Sequence, residues 1–227
     1  MALGSLSPVG FSSLSQQVTE ELRKAIIENR LKAGTQITES ELSSTLGVSR
    51  TVVREAMSSL LSDGLLQKVS SHCTRVAYYS EQDIREIYEM RGCLETSAVG
   101  LIPDLTALVD TLQKNNEASI ELSLKEPFDG FAFVMLDSDF HTEIIKAAGN
   151  SLLLDAWNRI VGPLQVLLHR YIYHVVQNSP EKRASYDHQR IINTFKTGDR
   201  ELIKMVVLDH SDIMKNIMLE KLVKPQD

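Results

Sequence analysis

The stretch that decides the N-terminal fold is LGVSRTVVREAMSSLLSDGLL, residues 46–66. Its apolar side chains recur at helical spacing and form one inward stripe, which consists of Val53, Ala56, Met57, Leu60 and Leu61. Arg50, Thr51, Arg54 and Ser58 lie on the other side. Arginines and small hydroxyls at the first turns of a half-buried helix favour contact with phosphates and base edges of DNA. The alternative is that both arginines are ordinary solvated side chains.

The residues before this helix predict a second, shorter helix and a tight turn. Thr38 and Glu41 have the spacing of a capping box, so a helix should cover about residues 39–46. Gly47 then supplies the turn, and Ser49 can cap the next helix by accepting a hydrogen bond from its free amides. The two helices together form a helix-turn-helix.

Two further elements complete the N-terminal unit. An amphipathic pattern that begins at Leu14 predicts a helix that ends near Asn29. Residues 65–79 contain short apolar runs around a polar tip at 70–74, which predicts a β-hairpin. Three helices and a hairpin make a winged helix-turn-helix of roughly 65 to 70 residues.

The charge of the chain is distributed unevenly. The whole chain has a formal net charge of −6, whereas nucleic-acid binders are often basic. From Phe11 to Tyr78, however, eight basic and seven acidic side chains give +1, so the excess of acid lies in the remainder. A weakly charged unit makes few phosphate contacts, so useful affinity requires two units on one DNA molecule. This predicts a dimer.

Length and composition predict two domains. We expect a tail at 1–10, a DNA-binding domain at 11–79, a second, helical domain at 80–222 and a tail at 223–227. No run of 18 apolar residues occurs and the N-terminus lacks signal-peptide features, which predicts a cytoplasmic protein without membrane association. Cys73 and Cys93 have no CxxC spacing and are expected to be free thiols.

Beyond Ser80 the sequence predicts helices throughout. They cover residues 81–101, 103–124, 129–148, 151–177, 180–197 and 199–221. Pro103 and Pro180 suit first-turn positions, and Pro163 should kink or split the fourth helix. Short connections between them predict an antiparallel bundle of six to seven helices, so the fold class is mainly α.

Four polar side chains interrupt the apolar rows of these helices. Asp137 and His141 share one row, His188 heads a second and His210 lies within a third. Buried polar groups need partners, and Asp137 and His141 project side by side because they are four residues apart. One carboxylate and three imidazoles suit Zn²⁺, Ni²⁺, Mn²⁺ or Fe²⁺. The alternative is that these are core histidines satisfied by backbone or water.

The helix-turn-helix region resembles the signature of a known family. ITESELSSTLGVSRTVVREAMSSLLSDGLL, residues 37–66, is similar to that of the GntR superfamily of bacterial transcription factors, including its VSR-x-x-VREA core. The resemblance implies that the wing tip reaches the minor groove, although Ser71 stands where the family commonly has glycine. It implies a DNA-contact set that consists of Ser40, Ser49, Arg50, Thr51, Arg54, Ser71 and His72.

Two C-terminal segments resemble the FadR-type effector domain, called FCD. DSDFHTEIIKAAGN, residues 137–150, is similar to its D-x-x-F-H motif, and DHQRIINTFKTGD, residues 187–199, to its H-x-x-I motif. The resemblance implies a divalent metal, with zinc favoured over nickel, manganese and iron. The implied ligands are Asp137, His141, His188 and His210.

A third segment points to an effector contact. MRGCLETSAVGLI, residues 90–102, resembles the family's R-x-x-L-E segment, which makes Arg91 a candidate partner for an effector carboxylate. The alternative is an intrahelical ion pair between Arg91 and Glu95, four residues later.

The resemblance implies a non-enzymatic regulator. We expect a homodimeric repressor of an operator in double-stranded DNA, controlled by a small organic acid such as a sugar acid, hydroxy acid or dicarboxylate. Two alternatives stay open. In one the metal ion itself is the signal, and in the other the histidine cluster serves a metal-dependent hydrolase, which would need a nearby general base and no DNA-binding domain.

Overall fold

The computed structural model of the chain describes residues 13–70, 73–176 and 188–223. Its N-terminal domain has the predicted winged helix-turn-helix architecture. The helices are α1 (Leu14–Ile27), α2 (Glu39–Leu46) and α3 (Arg50–Ser62), and the strands are β1 (Gln36–Ile37), β2 (Leu66–Ser70) and β3 (Cys73–Val76).

Side-chain caps fix where the N-terminal helices begin. The Thr38 hydroxyl accepts a hydrogen bond from the Glu41 amide, and Ser49 accepts one from the Val52 amide. Gly47 has a φ of 66°, the left-handed conformation that lets the chain leave α2 and enter α3 within a few residues. The predicted bounds of α2 and the predicted cap at Ser49 are therefore confirmed. The capping box at Thr38 is only half formed, because the Glu41 carboxylate accepts a hydrogen bond from the Thr38 hydroxyl and not from its backbone amide.

The wing belongs to a three-stranded antiparallel sheet with strand order β1-β3-β2. β2 and β3 form the predicted hairpin, whereas β1 was not predicted, because a two-residue strand is too short to show alternation. Ser71 and His72, the predicted wing contacts, lie outside the described residues. Cys73 and Cys93 are both free.

The C-terminal domain is a helical bundle, as predicted. Its helices are α4 (Glu81–Leu101), α5 (Val109–Ser123), α6 (Gly130–Ala147), α7 (Ser151–Tyr171), α8 (Gln189–Phe195) and α9 (Arg200–Met218). A 3₁₀ turn (Thr106–Leu108) precedes α5, and π-helical segments follow α7 (Ile172–Val176) and α9 (Leu219–Val223).

One prediction that involves a proline is wrong. Pro103 does not lie in a first helical turn, because Asp104 accepts hydrogen bonds from the Thr106 and Ala107 amides and starts the 3₁₀ turn instead. Pro163 was predicted to kink or split its helix, and of these two outcomes the split does not occur, since α7 continues through it. Proline removes one backbone hydrogen bond, but residues 162–169 are all buried and packing holds this part of α7 in place. Pro180 lies outside the described residues.

The two domains meet where the turn after α3 packs against the middle of α7. Gly162 has no room for a side chain, because a Cβ there would lie 2.7 Å from the Asp63 carbonyl oxygen. Arg23 of α1 donates a 2.7 Å hydrogen bond to the Asp63 carboxylate, and the Tyr79 hydroxyl donates one of 2.8 Å to the Gly64 carbonyl. The turn after α3 is thus fixed to α1, to the start of the bundle and to α7.

None of the described helices is by itself long and apolar enough to cross a membrane. One pair, α4 with the segment Thr106–Ser123, meets the length and composition requirement jointly, with a bend of 114° between its members.

The close approach at Gly162 gives a matched pair of substitutions. Gly162→Ala should destabilise the chain by about 1–3 kcal/mol, because the new methyl group overlaps backbone that cannot move aside. Gly100→Ala, also in a bundle helix, should be neutral or stabilising by about 0.5–1 kcal/mol, since its Cβ would meet only the flexible end of Lys204 at 3.6 Å. Urea unfolding of both variants checks this, and equal stabilities would contradict the tight docking.

Candidate metal centre and nucleic-acid interface

Three imidazoles converge inside the C-terminal bundle. His141 is on α6, His188 immediately precedes α8 and His210 is on α9, and one ring nitrogen from each lies within 4.8 Å of the others. The Nε2 atoms of His141 and His188 are 3.2 Å apart. His141 and His188 are buried and His210 is half-buried. The structure therefore brings together the three histidines that the sequence singled out.

Asp137 lies beside this trio. It is one helical turn before His141 on α6, and its Oδ1 is 3.4 Å from Nε2 of His188. That nitrogen is the one that also faces His141, so the carboxylate approaches the cluster from the side where the imidazoles meet. The three histidines thus form the cluster, and Asp137 lies at its edge, in contact with His188.

Neighbouring elements hold His188 in position. The ring of Phe140 stacks on the His188 ring with 4.1 Å between centroids and 14° between planes. The backbone amide of His188 donates a 3.1 Å hydrogen bond to the side-chain oxygen of Asn116 on α5. Phe140 is the aromatic position of the D-x-x-F-H motif. No sequence pattern identified Asn116, because its role depends on how α5 packs against α8.

Arg91 and Glu95 of α4 line the other side of the cluster. Nη2 of Arg91 is 2.6 Å from Nε2 of His141, and Oε1 of Glu95 is 2.6 Å from Nδ1 of the same ring. The Glu95 contact is short, yet it is not aligned as a hydrogen bond, and the described residues supply no aligned donor to either Glu95 oxygen. Arg91 and Glu95 also pair, at 3.5 Å. The structure therefore confirms the alternative prediction, an intrahelical pair of Arg91 with Glu95, and it also brings the guanidinium against His141. Contact of Arg91 with an effector carboxylate stays a prediction.

Burial and charge together set the protonation states of the cluster. Burial, and next the Arg91 guanidinium, hold the pKa values of His141 and His210 well below the ordinary value. Burial alone would raise the pKa of Asp137, but the hydrogen bond with His188 and the nearby positive charges outweigh it and lower the pKa to about 2. Burial raises the pKa of Glu95 to about 7, although the Arg91 charge opposes this.

This donor set fits a divalent transition metal. Metal ligands must be deprotonated, and the low pKa values keep His141 and His210 neutral and Asp137 ionised. Imidazole nitrogens with one carboxylate oxygen suit Zn²⁺ and its neighbours, whereas Mg²⁺ and Ca²⁺ prefer oxygen donors. Nδ1 of His188 is buried without a hydrogen bond among the described residues, so the ring gains its stabilising contacts at Nε2.

A second polar surface lies on the N-terminal domain, at the start of α3. Ser40, Ser49, Arg50, Thr51 and Arg54 are all exposed there. Nη2 of Arg50 donates a 3.1 Å hydrogen bond to Oγ of Ser40, so the two side chains lie side by side on adjacent helices. Five of the seven predicted DNA contacts thus share one surface, and the other two, Ser71 and His72, are outside the described residues.

Arg54 is held by an acidic partner that the sequence did not reveal. Its guanidinium donates two hydrogen bonds to the Glu39 carboxylate, at 2.9 and 2.8 Å. The Arg54 bond lowers the pKa of Glu39. Both side chains are solvated, so the pair adds little to stability but fixes the direction of the guanidinium.

A groove of 540 Å³ separates α3 from the wing. Its polar lining comes from both elements and from the start of α2, and includes Thr38, Glu39, Arg54, Ser58, Lys68 and Thr74. Lys68 and Thr74 of the wing were not predicted as functional, because only the folded hairpin brings them opposite α3. The groove offers positive and hydroxyl groups along one continuous surface.

Two family profiles match this chain. The one described as "Bacterial regulatory proteins, gntR family" matches residues 14–76, and the one described as "FCD domain" matches residues 86–212, more than half of the chain. The first range contains the arginine-bearing surface and the second contains the histidine cluster.

Characterised relatives and solved structures resemble most of the chain. A gluconate operon transcriptional repressor of Bacillus subtilis (strain 168) is 30% identical over 197 residues, which cover 85% of this chain and 79% of that protein. A probable D-xylose utilization operon transcriptional repressor of Paenarthrobacter nicotinovorans is 28% identical over 200 residues, 88% of this chain and 86% of that protein. The fold resembles that of E. coli McbR/YncC, with a TM-score of 0.68, 20% identity and coverage of 93% and 100%.

His188→Ala should lower metal affinity by more than about 100-fold, because even partners that only orient a ligand account for about 10–100-fold. The melting temperature of the metal-loaded protein should fall with it, since metal binding to the folded state adds stability. His174→Ala, an exposed histidine, is the matched control and should change neither value. Competition with a chromogenic chelator and thermal unfolding check this, and full metal occupancy in His188→Ala would remove that residue from the site.

Proposed function

The chain belongs to the GntR family of bacterial regulatory proteins, in the branch with a C-terminal FCD domain, and from this premise we propose that it is a metal-containing transcriptional repressor controlled by a small carboxylate. It would act in the cytoplasm as a homodimer on an operator in double-stranded DNA. The observation that carries the proposal is the buried cluster in which Asp137 and the imidazoles lie against Arg91.

DNA recognition would rest on α3 and the wing. An exposed helix start with Arg50, Thr51 and Arg54 has the length and chemistry to enter the major groove, where arginine can bind guanine with two hydrogen bonds. Ser40 and Ser49 lie close enough to contact the phosphates beside it. Lys68 would contribute a further positive charge from the wing. Glu39 would keep the Arg54 guanidinium extended along the groove between α3 and the wing.

The metal would be held by His141, His188, His210 and Asp137. A divalent ion with these ligands retains coordination positions that can accept a carboxylate oxygen. Asp137 contributes one negative charge, and the imidazoles of His141 and His210 are neutral. Together with a divalent ion, these three ligands would leave a positive charge that favours an anionic effector.

Arg91 would supply the second contact to the effector. Nη2 of Arg91 lies 2.6 Å from the His141 nitrogen that faces the cluster, so guanidinium and metal compete for the same lone pair. When the site is loaded, Arg91 would turn from His141 toward the carboxylate and bind it with two parallel hydrogen bonds. The relative named as a gluconate operon repressor supports a sugar acid as the class of effector.

A homodimer is supported by an apolar surface on α4 and α9, which pack side by side. Large apolar side chains are exposed on this surface, namely Met90, Leu101, Leu202, Met205, Leu208 and Ile213. Exposed apolar patches of this kind are typical of protein contacts. Two copies would also supply the two DNA-binding domains that the low charge of each one requires.

Arg54→Ala should weaken binding to a duplex selected from a random library by about 10- to 100-fold, the value of one arginine contact to a base pair. The melting temperature should stay unchanged because the Arg54–Glu39 pair is solvated. Arg85→Ala is the control, since Arg85 is also paired and exposed but lies on α4. Fluorescence anisotropy measures the affinities. Equal losses in both variants would argue against α3 as the contact.

In the same assay, a carboxylate effector should weaken DNA binding by about 5- to 150-fold, the range of a coupling free energy of about 1–3 kcal/mol. The screen uses zinc-loaded protein and a set of sugar acids, hydroxy acids and dicarboxylates. A steep dependence on zinc without any acid would identify the ion as the signal. No response to acid or zinc would contradict regulation through this site.

A further inference from the structure

Glu95 is a fully buried carboxylate in the middle of α4, with no solvent exposure. Its Oε1 lies 2.6 Å from Nδ1 of His141, on the side of the ring that faces away from the other histidines. We propose that Glu95 is a positioning residue for the metal centre, which fixes the tautomer and the orientation of His141. This inference rests on the proposed metal site.

The two nitrogens of His141 have different neighbours, and this decides the tautomer. A neutral imidazole carries one proton, which resides on the nitrogen that has an acceptor. The Glu95 carboxylate, 2.6 Å from Nδ1, attracts a proton to that nitrogen even though the contact is not aligned as a hydrogen bond. Arg91, which can only donate, lies 2.6 Å from Nε2, so the lone pair is on Nε2. Nε2 is the atom that lies 3.2 Å from Nε2 of His188. Glu95 therefore selects the tautomer in which His141 can share an ion with His188.

The geometry separates the roles of the two nearby carboxylates. Asp137 approaches Nε2 of His188, the ligand side, at 3.4 Å, so it is placed as a ligand. Glu95 approaches Nδ1 of His141, whereas Nε2 of that ring faces His188. Glu95 therefore contacts a ligand without being one. Carboxylates in this outer position orient a metal-bound histidine and make it more basic.

Pairing with Arg91 does not by itself account for Glu95. Nε of Arg91 is 3.5 Å from Oε1 of Glu95, whereas Nδ1 of His141 is 2.6 Å from the same oxygen. The shorter contact is the one to the imidazole. An intrahelical ion pair would also need no burial, yet Glu95 occupies the inward row of α4 with Tyr88 and Val99. The carboxylate is thus placed for His141 first and for Arg91 second.

The experiment uses the full chain and three variants. Glu95→Ala removes the acceptor, Glu95→Gln keeps a carbonyl acceptor of the same size, and Glu89→Ala removes an exposed glutamate from the same helix as a control. Zinc affinity is measured by competition with a chromogenic chelator. The tautomer of His141 is measured in metal-free protein by long-range ¹H–¹⁵N correlation NMR, and folding is checked by circular dichroism.

Zinc affinity should fall by about 10–100-fold in Glu95→Ala, by less in Glu95→Gln and not at all in Glu89→Ala. His141 should carry its proton on Nδ1 in the wild-type chain and on a mixture of both nitrogens in Glu95→Ala. A merely structural role would not change the tautomer. If Glu95→Ala does not fold, Glu95→Gln supplies the same two measurements.

Unchanged zinc affinity together with an unchanged tautomer in folded Glu95→Ala would overturn the inference. So would a proton on Nε2 in the wild-type chain. The tautomer measurement needs no metal, so it tests Glu95 even if the wild-type chain binds no zinc. A wild-type chain that binds no zinc would instead contradict the proposed metal site. Failure of the metal site and failure of the role of Glu95 are therefore distinguishable.

Discussion

Arg91, Glu95 and His141 touch one another in a helical interior from which water is almost excluded. Their exposed fractions are 4%, 0% and 1%, and polar groups at that depth are stable only when they are paired. α4 and α6 therefore have one acceptable relative position, in which the charges of one helix meet the imidazole of the other. An apolar pair of helices could slide or rotate at little cost, whereas this pair cannot. The same constraint that keeps the cluster together also fixes the bundle around it.

The helix that carries His141 is connected to the N-terminal domain by consecutive contacts. Thr142 follows His141, and its hydroxyl accepts a 2.9 Å hydrogen bond from the indole of Trp157 on α7. Five residues later on α7, Gly162 packs against Asp63 at the end of α3. One helix, α7, therefore contacts both α6 and the end of α3. A ligand can use this connection only if it binds two arrangements of α6 and α7 with different affinities.

The sequence predicted the elements that depend on residues close together in the chain. Thr38, Ser49 and Gly47 determine local hydrogen bonds and backbone angles, so α2 and α3 were predicted closely. The histidines were predicted because each interrupts an apolar row. Glu95 also interrupts one, but its partner is 46 residues away on another helix, and no spacing within α4 indicates His141. The contact between Glu39 and Arg54 and the one between Gly162 and Asp63 were not predicted for the same reason. At Pro163, packing prevailed over the local rule that a proline splits a helix.

The balance of charge on the N-terminal domain limits how a ligand can act. Glu39 neutralises Arg54 in the free protein, and the domain as a whole carries a net charge of about +1. DNA phosphates therefore attract one domain only weakly, and the attraction falls further with salt. In the proposed homodimer, most of the affinity would come from two domains that fit one duplex at the same time, because the second contact is then intramolecular. Binding would consequently depend most on the separation of the two α3 helices. A movement of α7, which packs against the end of α3, would change that separation.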